Sequence, residues 1–179
     1  MQFENFGPFP MPVDQRGDFA IGDDKAVKLF FREIDAEFPE LSTGCGCYVF
    51  AMRSSRGTTP WYVGKADKTS FGTECFNARN RLTYFNFTRE HRGTPLLYLV
   101  ARVTPKGRFA KPYTNGHPAV GYVEKSLIGA ALARNPRLLN VKNTAMCKNL
   151  HVPGFINATK PPYTQSTESL RKTLGLLAN

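Results

Sequence analysis

The residues here best suited to chemistry are two tyrosines, each set beside a glycine on a short apolar segment: Gly46-Cys47-Tyr48 and Tyr62-Val63-Gly64. Residues 49–61 separate them and hold the turn formers Ser54, Ser55, Gly57 and Pro60. Two apolar runs joined in this way predict a β-hairpin. Side chains alternate along a strand, so a hairpin can bring both phenols to one face. Paired phenols on a basic protein suit chemistry on a phosphate.

Glu124 is the most anomalous single residue. At offsets of three, four and seven it shares a helical face with Leu127, Ile128 and Ala131. A carboxylate on an apolar face is costly unless it is paired or holds a cation. Periodicity alone leaves both a metal ligand and a solvated edge residue open. Lys65 directly follows Gly64 and could meet a phosphate or favour a tyrosine phenolate; solvation is the plain alternative. Arg79 and Arg81 lie on the next helix, where a guanidinium fork suits phosphate oxygens and a surface role fits as well. Asn140 stands between Leu139 and Val141, where a buried amide needs partners, whether to orient a reacting group or a loop. His91, His117 and His151 have no ligand spacing, and Trp61 reads as core.

The elements that must position these groups follow from composition and pattern. The 179 residues carry a net charge of +10, unevenly distributed. Residues 1–45 hold four Lys/Arg against nine Asp/Glu, whereas residues 46–143 hold sixteen against four. The cationic stretch is the one that carries the tyrosines, and such a field attracts a polyanion, nucleic acid first. No apolar run approaches a membrane span. The first residues lack the marks of a secretory signal. The cysteines (Cys45, Cys47, Cys75 and Cys147) lack zinc-ligand spacing and read as reduced and structural, which implies a cytoplasmic protein.

Residues 1–22 read as an extended arm. Asp23 and Asp24 offer N-caps to a helix ending near Phe38, with a stripe of Val27, Phe30, Phe31, Ile34 and Phe38. The hairpin strands are expected near 46–52 and 60–65. A helix over 74–89, a buried strand to Val103, a basic loop over 104–118, a helix over 119–135 and a weak helix over 167–177 complete the order. A small antiparallel sheet flanked by helices fits it.

Taken together, these positions resemble the GIY-YIG nuclease superfamily. Gly46-Cys47-Tyr48 is similar to its first triplet, with Cys for the usual Ile, and Tyr62-Val63-Gly64-Lys65-Ala66 to its second. Arg81-Leu82 resembles the helix arginine, with Arg79 as a rival because residues 69–78 look inserted. Glu124 resembles the metal-binding glutamate and Asn140 the late asparagine. The family commonly has His or Tyr one turn after the arginine; Phe85 stands there, with Tyr84 adjacent. The resemblance covers about residues 44–143. It implies an α+β fold with a three-stranded antiparallel sheet, between an N-terminal arm and helix (1–43) and a C-terminal extension (144–179). It also implies phosphodiester hydrolysis in nucleic acid, DNA ahead of RNA, with one Mg²⁺ or Mn²⁺ on Glu124. Tyr48 would then be the general base with Lys65 favouring its phenolate, Tyr62 would bond phosphate or water, Arg81 would stabilise charge, and Asn140 would orient the site. Gly64, Lys65, Arg79 and Lys142 are the expected substrate contacts. A homodimer or partner protein could supply specificity. A non-catalytic nucleic-acid-binding module or an interaction subunit on the same scaffold is the alternative.

Overall fold

The computed structural model describes residues 2–140, Thr144 and 164–176. These form β1 (Gln2–Pro10), α1 (Asp24–Glu37), β2 (Gly46–Ser54), β3 (Gly57–Ala66), α2 (Phe71–Glu74), α3 (Ala78–Glu90), β4 (Thr94–Val103), α4 (Pro118–Arg134) and α5 (Gln165–Thr173), with a 3₁₀ turn at Leu41–Thr43. The fold is α+β. Its sheet has the order β1-β4-β2-β3, and every pairing is antiparallel.

The sheet therefore has four strands where three were expected. The added one, β1, comes from the proline-rich segment read as an arm. A register shift between Phe6 and Phe9 hides it from a period-two reading: Phe6 faces Leu99 and Phe9 faces Leu97, so residues three apart fall on the same side. Both rings pack on Phe38, at 5.1 and 6.1 Å.

Helix α1 forms as its pattern requires. The Asp23 carboxylate accepts from the Ala26 amide at 2.8 Å, and Val27, Phe30, Phe31 and Ile34 are buried. The helix expected over 74–89 is broken in two. Asn77 caps α3 by accepting from Asn80 N at 2.9 Å, so Cys75 falls in the turn before it. Cys45, Cys47 and Cys75 are free and buried; Cys147 lies outside the described residues.

One sheet face packs on α1, α3 and the returning segment of Met11, Phe19 and Ile21, with Tyr48, Phe50, Leu97 and Leu99 beneath them. The smaller opposite core joins Val63 to Ile128, Ala131 and Leu132 of α4. Each fully buried large apolar side chain contributes about 1.5–3 kcal/mol, which makes the aromatic-rich first layer the rigid base of the hairpin. No helix of the described residues is long and apolar enough to cross a membrane.

Candidate active site

The hairpin is tighter than its sequence suggested, since Ser54 pairs with Gly57 and only two residues make the turn. Tyr48 lies opposite Gly64 and Phe50 opposite Tyr62, which sets both phenols on the α3 side with ring centroids 6.2 Å apart. Gly64 is the seat of the Tyr48 ring. A methyl group there would overlap the Tyr48 Cζ and hydroxyl and lie 2.6 Å from Cε2.

Tyr48 is 1% exposed. Asn80 Nδ2 donates to its hydroxyl oxygen at 2.8 Å and to the Glu74 carbonyl at 2.9 Å. Both amide protons of Asn80 are thus committed, and the Tyr48 hydroxyl is left as a donor. Burial, reinforced by Tyr84, pushes the Tyr48 pKa far above the usual phenol range. This corrects the expectation that Tyr48 serves as a phenolate base beside Lys65. The phenol is neutral and shielded, and Lys65 projects from the opposite sheet face, paired in register with Cys47.

Tyr62 is half-buried. Burial raises its pKa; the Arg79 cation and then the Tyr48 hydroxyl oppose this, while Glu124 and Glu74 add to it. Tyr62 is therefore within electrostatic reach of a cation and a carboxylate drawn from different helices. Of the two arginines, the one within electrostatic reach of Tyr62 is Arg79. Arg81 Nη1 bonds Asp24 Oδ1 at 3.2 Å and the Gly22 carbonyl at 3.4 Å, so it tethers α3 to the start of α1. Two residues apart on a helix, the two side chains diverge by about 200°. Tyr84, adjacent to the exposed Phe85, is fully buried, which shields its hydroxyl from solvent, and that hydroxyl has no hydrogen-bond partner among the described residues.

Glu124 lies across the β3 edge on α4. It is half-buried and makes no hydrogen bond or ion pair to any described residue. Burial raises its pKa; Lys65 opposes and Asp67 adds to that rise. Lys65 Nζ pairs with Asp67 Oδ2 at 3.0 Å. Burial works against the Lys65 ammonium, but the Asp67 hydrogen bond and charge prevail and its pKa is raised. Cys47 Sγ donates to the Val120 carbonyl at 3.4 Å, and burial pushes its thiol up to about 12. It is an inert packing group against α4.

Asn140 is a positioning residue. Its Oδ1 accepts from Val63 N at 2.9 Å and its Nδ2 donates to Val63 O at 2.7 Å. Both ends of the amide are spent on the outer edge of β3, between the residues Tyr62 and Gly64. Leu139 N and Asn135 Nδ2 extend the same clamp to the Trp61 and Pro60 carbonyls, each at 2.8 Å. Lys142 lies outside the described residues.

Tyr48, Tyr62 and Gly64 thus cluster on the α3 face of the hairpin, with Arg79 and Glu124 within electrostatic reach of Tyr62, while Arg81 and Asn140 bond to the scaffold. Two residues were missed. Asn80 has no sequence signature, because its role depends on the turn that splits α2 from α3. Asp67 lies in the bend just beyond β3 and carried no signal except its closeness in sequence to Lys65.

Comparison with protein-family models, with curated proteins and with solved structures gives no match.

Proposed function

We propose that this protein is a divalent-metal-dependent phosphodiester hydrolase acting on nucleic acid, DNA before RNA, on a GIY-YIG-like scaffold. The observation that carries the reading is the position of Tyr62, within electrostatic reach of both the Arg79 cation and the Glu124 carboxylate. The excess of sixteen Lys/Arg over four Asp/Glu across residues 46–143 suits a polyanionic substrate.

The roles follow from accessibility. Tyr62, the less buried phenol, takes the water-facing place that Tyr48 cannot reach. Its phenolate accepts the proton of the attacking water. Tyr48, held by Asn80, donates a hydrogen bond that favours that phenolate. Arg79 stabilises charge developing on the phosphate. Glu124 fits a Mg²⁺ or Mn²⁺ ion, because it is a half-buried carboxylate without a competing partner among the described residues. No group of three ligating side chains occurs among those residues, so water and phosphate oxygens would complete the shell, as magnesium commonly accepts. Such an ion, when bound, neutralises phosphate charge and stabilises the leaving oxygen.

The test is plasmid nicking with Mg²⁺ in wild type, Tyr62→Phe and Glu124→Ala. Activity abolished by each substitution supports the reading. Nicking that survives in both overturns it. Salt-sensitive DNA binding without cleavage under any divalent ion favours the non-catalytic binding module instead.

A further inference from the structure

We propose that the Tyr113 and His117 rings form a platform on which an unpaired nucleobase stacks, so that the substrate class is nucleic acid presenting single-stranded or extruded bases beside Glu124. This rests on the nucleic-acid reading above and adds the form of the substrate.

Tyr113 is 55% exposed, yet its backbone is clamped. Tyr113 N donates to the Asp67 carbonyl at 3.0 Å, and Gly116 N to the Tyr113 carbonyl at 2.7 Å. Gly116 has φ +71°, and a methyl there would lie 2.7 Å from Asp67 Oδ2, so only glycine lets this turn close on the carboxylate. The Tyr113 ring lies 6.0 Å from the His117 ring at 36°. The imidazole is fixed in turn, because its Nε2 lies 3.0 Å from the Lys111 carbonyl, which can only accept a hydrogen bond. An exposed aromatic ring on a clamped backbone loses little conformational freedom when a base stacks on it.

The platform is in line with the site. His117 is the N-cap of α4, and Gly121 and Glu124, three residues apart within the helix, continue from it as a stripe. Lys65 Nζ lies against this stripe, 3.9 Å from where a Gly121 methyl would be. The helix rises about 10 Å from this cap to Glu124. A base on Tyr113 and a phosphate near Glu124 are therefore within reach of one strand, with Lys65 between them.

The test is equilibrium binding by the full chain in EDTA, which removes cleavage from the readout. The probes are a fluorescein-labelled single-stranded oligonucleotide, the same sequence as duplex, and a single strand carrying 2-aminopurine. Wild type should quench 2-aminopurine. Tyr113→Ala should lose about tenfold in single-strand affinity with duplex affinity within about twofold, and Tyr113→Phe should restore binding. Tyr122→Ala, at an exposed tyrosine on α4 (75% exposed) that lies off the stripe, should bind like wild type. No loss for Tyr113→Ala, an equal loss on both probes, or the same loss for Tyr122→Ala overturns the platform. Single-strand binding through Tyr113 by a chain that never cleaves overturns the hydrolase reading alone.

Discussion

Asn80 donates to the hydroxyl of Tyr48 from a side chain that has no other way to turn. The 2.8 Å bond and the second one to the Glu74 carbonyl use both amide protons and leave the Tyr48 hydroxyl as a donor. Asn80→Leu removes that direction. We expect a folded protein destabilised by about 1–3 kcal/mol, with nicking reduced roughly tenfold or more and Mg²⁺ dependence unchanged. Urea unfolding and nicking rates check this; a variant with wild-type activity removes the positioning role.

Gly64→Ala tests the seat of the Tyr48 ring. The added methyl would overlap a phenol that is 1% exposed and cannot swing into solvent. A cost at or above the usual 1–3 kcal/mol for overpacking is expected, visible as a fall in urea midpoint. An unchanged midpoint would mean that the ring has room to move.

The two arginines separate cleanly. Arg79→Ala should lower the nicking rate roughly 10²–10³-fold, as loss of a charge-stabilising donor does. Arg81→Ala removes a contact to Asp24, a largely exposed carboxylate, so activity should persist and stability should fall by no more than about 1 kcal/mol. The reverse pattern would restore Arg81 to the site.

Glu124 carries a cost of burial. Burial holds its pKa above the ordinary 4.5, so the folded state binds the proton more tightly than the unfolded chain. The stability linked to this group is then fully present below pH 4.5 and is lost as pH rises through the raised pKa. Glu124→Gln should therefore melt higher than wild type at pH 7, with the gap closing below pH 4.5. Millimolar Mg²⁺ should raise the wild-type melting temperature and leave the variant unmoved. A variant that responds equally to Mg²⁺ would take the ion away from Glu124.

Alkaline pH pulls in two directions. Burial raises the Tyr62 pKa above the ordinary 10.0, so the phenolate fraction, and with it the nicking rate, should climb about tenfold per pH unit across the neutral range. Burial also raises Cys47 from 9.0 to about 12 and Tyr48 above 10.0. The unfolded chain releases these protons first, so stability falls as pH rises from about 9 onward, by about 1.4 kcal/mol per unit for each such group. Rate and melting temperature measured together should diverge above pH 8. A rate flat with pH would remove Tyr62 as the base.

Local pattern determined much of this protein. The spacing of Val27, Phe30, Phe31 and Ile34 and the cap at Asp23 specify α1 without help from the rest of the chain. Glycine and alternation bring Tyr48 and Tyr62 to one face, and the offsets around Glu124 mark a carboxylate on an apolar stripe. These features are legible because each depends on neighbours within two turns of helix or one strand pairing. Tertiary structure alone decided what needed distant partners. It made residues 2–10 an edge strand through a bulge that breaks their periodicity. It turned Arg81 toward α1 and left Arg79 acting on Tyr62, a choice set by where the Asn77 cap starts α3. It spent Asn140 on the Val63 backbone, and it buried Tyr48 under Asn80 while leaving Tyr62 half-buried. Burial and hydrogen-bond direction depend on the whole packed layer, and no run of residues carries them by itself.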